Sequence, residues 1–173
     1  MEIIIREAKK SDINNLAVLK QQVWISTYAD EGVTAQFSEY VLSEYSIENI
    51  RKSISDKSKL TLIAIYDKGI VGCVEILLSP QSPVNAIEPC MEISTFYILE
   101  RFQGLGIGKK LLQECFKVIT RLNHYKVWLT VYYKNQKAID FYAKQNFTVI
   151  GETFFLLGKD KHKNLIMLRN IDK

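Results

Sequence analysis

The chain has 173 residues, 47% of them apolar and 24% charged, enough apolar material for one domain with a real core. Its net charge of +4 falls short of the dense basic stripe of a nucleic-acid-binding domain and suits a small polyanionic ligand. No apolar run approaches the about 20 residues that cross a bilayer, and Cys73, Cys90 and Cys115, an odd set without Cys-x-x-Cys spacing, argue against a disulfide framework or a zinc knuckle.

The opening "MEIIIREAKKSD" has too short an apolar run for a signal peptide, so a reduced, cytoplasmic protein is expected. Residues 3–6 read as a short strand. Ser11 is a candidate cap for a helix on which Ile13, Leu16, Ala17, Val23 and Trp24 recur at helical spacing. Residues 28–45, rich in Glu, Tyr and Ser, show no clear period and read as loop or broken helix. Ser46 caps a helix over 46–56 with Ile47, Ile50 and Ile54 on one face. "LTLIAIY" and "IVGCVEILL" flank Asp67-Lys68-Gly69 as a β-hairpin. Pro80, Pro83 and Pro89 mark the next segment as a loop.

"CMEISTFYI" (90–98) is a strand that runs into "RFQGLGIGKKLL" (101–112), where three glycines alternate and two lysines follow. From Ile107 a helix is expected, with Leu111, Leu112, Cys115, Phe116, Ile119 and Leu122 on its apolar face. "KVWLTVY" (126–132) is a buried strand and "NQKAIDFYAKQNF" (135–147) a short helix. Strands over about 148–157 and 164–171 end the chain, joined by the polar turn "GKDKHKN". Trp24, Trp128 and Cys115 read as core. The order predicts a mixed α/β (α+β) architecture: a single domain over 1–173, with about seven strands and about four flanking helices.

Lysines in the first turn of a helix oppose its dipole, by about 0.3–1 kcal/mol each. An anion at that spot reverses the sign, and a glycine turn between strand and helix presents free N–H groups to hold one. A dinucleotide fingerprint fails, because Lys109 stands at its third glycine. A Walker loop fails too, because no Gly-Lys-Ser/Thr follows Gly104 at its spacing.

Gln103-x-x-Gly106-x-Gly108 does fit another pattern. It resembles the Q/R-x-x-G-x-G/A pyrophosphate signature of the GCN5-related N-acetyltransferase (GNAT) family. Downstream, Asn135, Ala138, Phe141, Tyr142 and Phe147 resemble that family's N-x-x-A-x-x-F-Y-x-x-x-G-F segment. Asn146 replaces its glycine, and asparagine tolerates the left-handed conformation that ends a helix.

The resemblance implies an enzyme that moves the acetyl group of acetyl-coenzyme A to a primary amine, with no metal. It implies that the amides of Gly104, Leu105, Gly106, Ile107, Gly108 and Lys109 hold the pyrophosphate beside Gln103. The main chain of Phe96, Tyr97 and Ile98 would pair with the pantetheine arm. Tyr142 is then the candidate acid near the sulfur, or a core aromatic. Asn135 is a helix cap, a cofactor ligand, or both, with Ala138 a turn later. Glu92 is the candidate base, a substrate ligand or a structural carboxylate; strand alternation is expected to put it on one face with 94, 96 and 98.

Acids among aromatics (Asp30, Glu31, Glu39 and Glu44 with Tyr28, Tyr40 and Tyr45) suit a cationic acceptor or a solvated surface, with Tyr28 and Glu31 as candidate substrate residues. More loosely, "MEISTFYILERFQGLGIGKKLL" and "ETFFLLGKDKHKNLIMLRNI" resemble the bacterial spermine/spermidine acetyltransferase branch, which implies a polyamine acceptor. The alternatives are a protein N-terminal or ribosomal-protein acetyltransferase, another small-amine acetyltransferase of the same family, and a non-catalytic acetyl-coenzyme A-binding regulator. The partner expected is a small-molecule amine, with a homodimer as the candidate assembly and neither nucleic acid nor membrane. His124 and His162, the only histidines, do not suggest a catalytic triad.

Overall fold

The strands Ile3–Glu7 (β1), Lys59–Tyr66 (β2), Gly69–Gln81 (β3), Cys90–Ile98 (β4), Lys126–Tyr132 (β5), Thr148–Leu157 (β6) and Asp160–Asn170 (β7) form one sheet in the order β1-β2-β3-β4-β5-β7-β6. The computed structural model describes residues 2–29, 32–85, 87–158 and 160–172. Every neighbouring pair is antiparallel except β4 and β5, which run parallel. A parallel pair needs a crossover, and Ile107–Arg121 (α4) supplies it.

Two helical layers cover the sheet. On one face α4 and Gln136–Lys144 (α5) bury Ile107, Leu111, Leu112, Cys115 and Ile119 against Val74, Ile76, Met91, Ile93, Val127 and Leu129. On the other, Ile13–Tyr28 (α1), Ala35–Glu44 (α2) and Ile47–Ser55 (α3) bury Leu16, Trp24, Phe37, Val41 and Ile50 against Ile63 and Cys73. The expected stripe of α4 is the buried one, except that Leu122 is the C-cap and lies exposed.

Among the described residues there are five α-helices where about four were expected, and the addition is α2. Phe37, Val41 and Tyr45 are buried at four-residue spacing there, and the Thr34 side chain accepts from the Phe37 N–H. The polar residues between them hide that period. Ser46 caps α3 by accepting from the Asn49 N–H at 3.2 Å, and Asn135 caps α5 by accepting from the Ala138 N–H at 3.1 Å. Asn146, at φ +60°, ends α5 as its type allows.

Three boundaries differ from expectation. Ser11 lies inside a 3-10 turn over Lys10–Asp12 and caps nothing. Pro80 belongs to the end of β3, where pairing is irregular. The last strand, expected from about 164, begins at Asp160 inside the polar run expected as a turn, and Asn164 is buried on it.

Asp12 fastens β1 to the start of α1. Its carboxylate accepts from Arg6 at 2.7 and 2.9 Å and from the Lys9 N–H at 2.7 Å. The Arg6 guanidinium holds the Asp12 carboxyl below the usual carboxylate range against the opposing effect of burial. Asp12→Ala should cost about 2–3 kcal/mol at neutral pH, the range for charge-assisted bonds. Because the folded pKa is depressed, that contribution is full above the unfolded value of about 3.9 and fades as pH falls through the folded one. Urea unfolding of wild type and variant should therefore diverge at pH 7 and converge in acid.

Candidate active site

Beta strands four and five stay together for only three residues. Met91, Glu92 and Ile93 pair with Val127, Trp128 and Leu129, and no pair follows. At Ser94 the register with β3 slips, Glu75 facing Thr95 and Ile76 facing Ile93, so β4 carries a bulge. A bulge bends the strand and shifts its facing by one residue. Met91, Ile93, Phe96 and Ile98 consequently share the α4 face, whereas Tyr97 packs on the α1 face. The expected grouping of Glu92 with 94, 96 and 98 is therefore corrected: Glu92 and Phe96 lie on opposite faces, because the extra residue intervenes.

The parting opens a wedge in the sheet. Phe96, Tyr97 and Ile98 pair on one edge with Val74, Cys73 and Gly72, and face no strand on the other. Beyond Ile98 the chain turns through a 3-10 element at Glu100–Phe102, and the Gln103 side-chain amide donates back to the Ile98 carbonyl at 3.3 Å. Then come Gly104 and Gly106 at φ +76° and +78°, conformations that side chains with a Cβ resist. Among the described residues nothing lies within 4 Å of where a Cβ would stand on either one.

Among the described residues the main-chain N–H groups of 104–109 have no acceptor; the first bond into α4 runs from Lys110 to the Gly106 carbonyl. Together with the positive end of α4 and the exposed Lys109, this cradle fits a diphosphate. Gly108 serves another purpose. A Cβ there would stand 3.2 Å from the Phe141 ring, which stacks on Phe96 at 5.8 Å.

Across the wedge, α5 presents Asn135, Ala138 and Tyr142. Tyr142 is buried among Phe96, Phe141 and Phe147, and burial pushes its hydroxyl well above the ordinary phenol value, with Tyr28 adding to the effect. Tyr28, at the end of α1, packs on Tyr132 at 5.1 Å, with its own pKa pushed up to about 12 by burial. Tyr45 and Tyr97 share a hydroxyl–hydroxyl hydrogen bond of 3.1 Å. Glu31 and Asp30 lie outside the described residues. Glu39 is exposed, while Glu44 lines a cleft on the α1 face.

A cleft of about 580 Å³ opens on the α1 face, with Trp24, Tyr28, Tyr40 and Phe155 among its walls. Its floor holds two residues that sequence reading passed over. Lys20 and Glu75 form a buried ion pair at 3.1 Å, and Ser53 and Ser94 also donate to the Glu75 carboxylate at 2.8 and 3.1 Å. Burial would raise the Glu75 pKa, but Lys20 leads the opposing effects and the net shift is downward. The signal was a lone Glu inside the apolar run "IVGCVEILL". Glu92 is half-buried on the same side of the sheet, with its pKa raised by burial and no hydrogen-bond partner among the described residues.

The Acetyltransferase (GNAT) family model matches residues 24–147, well over half of the chain. This protein belongs to the acetyltransferase (GNAT) family. It is 26% identical over 153 residues to the spermidine N(1)-acetyltransferase of Thermoplasma acidophilum, covering 86% of this chain and 90% of the relative. It is 27% identical over 148 residues to an uncharacterized N-acetyltransferase of Mycobacterium tuberculosis, covering 85% and 82%. The PaiA N-acetyltransferase of Thermoplasma acidophilum, solved in complex with coenzyme A, superposes with a TM-score of 0.81 at 24% identity, over 98% of this chain and 99% of that one.

The GNAT sheet with its parted strands is thus this chain's fold, as its sequence resemblance implied. Among the described residues no helix is long and apolar enough to cross a membrane, and no group of three or more His, Cys, Asp or Glu side chains is placed to hold a metal.

The tyrosine cluster has a direct readout. Five of the nine tyrosines, Tyr28, Tyr40, Tyr45, Tyr97 and Tyr142, have burial as the first cause of an upward shift. In a spectrophotometric titration of the folded protein these five should remain protonated at about pH 11, one unit above a free phenol. Unfolding in urea at that pH should release them together.

Proposed function

We propose that this GNAT protein transfers the acetyl group of acetyl-coenzyme A to a primary amine of a small molecule. The observation that supports this most is the pairing of an anion cradle at 104–109 with a strand edge at Phe96–Ile98 that ends beside Tyr142. The donor set suits the pyrophosphate, and the free edge suits the amides of a pantetheine arm lying as an added strand. Gln103 steadies that edge through Ile98, and Asn135 and Ala138 hold α5 at the far side of the wedge.

Acetyl-coenzyme A supplies the activated thioester. The neutral amine nitrogen attacks the carbonyl carbon, a C–N bond forms, and the C–S bond breaks with its electron pair leaving on sulfur. One proton lost by nitrogen is taken by a base, and one returns to the thiolate. Glu92, without a hydrogen-bond partner among the described residues and raised in pKa by burial, serves as the base, through a water where needed. Tyr142 stays protonated at neutral pH and donates toward the sulfur.

Polyamines are the acceptors suggested by the resemblance to the spermine/spermidine branch. The Thermoplasma spermidine acetyltransferase supports them, as does the spermine/spermidine N(1)-acetyltransferase of Bacillus subtilis, 30% identical over 91 residues that span 52% of this chain and 60% of that one. A second reading, another small amine, draws on the cleft: its described lining carries Lys20, Lys52 and Lys59 against Glu44, Asp56 and Glu75, an even balance that does not concentrate polycations. Three free, buried cysteines suit a reducing cytoplasm.

Gly106→Val places a β-branched residue at φ +78° in the middle of the cradle. Coenzyme A affinity by calorimetry should fall at least about tenfold, or about 1.4 kcal/mol, while the far-UV circular dichroism stays that of the wild type. Unchanged affinity would remove the cradle from the account. Glu92→Gln tests the base. With Glu92 raised in pKa, wild-type kcat should decline on the acid side at a pH above that of an ordinary glutamate, because the carboxyl must be ionised to act. The variant should be slower and lose that limb, whereas an identical pH profile would leave Glu92 a structural role.

A further inference from the structure

We infer that the acceptor carries a carboxylate as well as its amine, an amino-acid-type molecule lying across the α1-face cleft between Lys20 and Asn164. This rests on the acetyltransferase reading and narrows its substrate. Two unspent hydrogen-bonding groups in the cleft lead to it, and they have opposite polarity.

The first is the Lys20 ammonium. It offers three donors, and a single bond, to Glu75, is made among the described residues. Its side chain is only 6% exposed, so the remaining donors are deprived of bulk water while lining the cleft. Glu75 is already engaged, because its oxygens accept from Lys20, Ser53 and Ser94 and have Lys59 at 3.8 Å. A buried cation with spare donors, beside a carboxylate that three donors already share, calls for a further anionic or carbonyl oxygen.

The other group is the Asn164 side chain. It is 9% exposed, it lines the same cleft, and its Oδ1 is buried with no hydrogen-bond partner among the described residues. A buried acceptor without a donor costs about 1–3 kcal/mol, so a site that retains one is matched to an N–H. Asn164 stands on β7 opposite Tyr132, and Glu75 on β3 opposite Thr95. In the order β3-β4-β5-β7 they are three strands apart, at least about 14 Å between backbones, because the wedge parts β4 from β5 between them. An extended acceptor with its carboxylate at Lys20 points its amine over the wedge on the Asn164 side, and the rings of Trp24 and Tyr28 wall its aliphatic middle.

Matched acceptors decide the matter. Pentylamine, 1,5-diaminopentane and 5-aminopentanoate share one reactive amine and differ at the far end; spermidine completes the set. With acetyl-coenzyme A and thiol release as the readout, kcat/KM should be at least tenfold higher for 5-aminopentanoate than for the other three. Because Lys20→Met alone strands Glu75, the variant to use is Lys20→Met with Glu75→Met, an apolar replacement of a kind that buried pairs tolerate. It should erase the preference while coenzyme A affinity persists. Asn164→Leu should raise KM for every amine more than it lowers kcat.

Diamine or spermidine turnover equal to or better than that of the amino acid would overturn the inference and leave the acetyltransferase standing. Should nothing be acetylated, calorimetry in the presence of coenzyme A separates the two claims. Saturable 5-aminopentanoate binding that the double variant weakens at least tenfold would uphold the acceptor class against the proposed reaction. Absence of such binding would refute it.

Discussion

Hydrogen bonding between the two central parallel strands stops after Ile93, and most of what this molecule can do follows from that break. Had β4 and β5 stayed paired to their ends, the main chain at Phe96–Ile98 would be satisfied inside the sheet and Tyr142 would look onto a closed surface. The bulge at Ser94 falls where the pairing ends, as expected of a residue that bends its strand. It turns the strand, exchanges its faces and sends the chain toward the glycine turn at the angle from which α4 starts with its first amides free. One inserted residue thus creates both the open edge and the approach to the cradle.

The same break lets the two helical layers meet. Elsewhere the sheet insulates the α4 side from the α1 side, each with its own core. At the wedge Tyr28 from α1 packs on Tyr132 of β5, and Tyr142 from α5 packs on Phe96 of β4. A ligand entering along the α4 face and one entering along the α1 face would come together where the two strands part. The polar groups left unspent in the α1-face cleft, Lys20 at one end and Asn164 at the other, gain their significance from flanking that passage.

What was readable in the sequence is what short-range physics decides. Ser46 and Asn135 cap helices because their side chains reach an amide three residues on, and the α4 stripe follows from helical spacing alone. The glycine turn was legible because positive φ and paired lysines demand a reason. What escaped was settled by partners far away in the chain. Glu75 looks like an accident in an apolar strand until Lys20, 55 residues earlier, comes to meet it. Asn164 stands where the polar turn and the last strand meet in the sequence, and nothing in so polar a run says that it is buried; its pairing with Tyr132 belongs to two strands. The bulge is invisible for the same reason, since a slip in register belongs to two strands and is written in neither.

Gly108 carries a consequence for how the site keeps its dimensions. With no side chain of its own, it lets the Phe141 ring lie against the first turn of α4, and that ring in turn stacks on Phe96. Three elements, α4, β4 and α5, are thereby packed into a single gauge. The separation between the cradle and the tyrosine is then a machined length and not an average over loose parts, so a molecule bound at one end is measured, atom by atom, at the other.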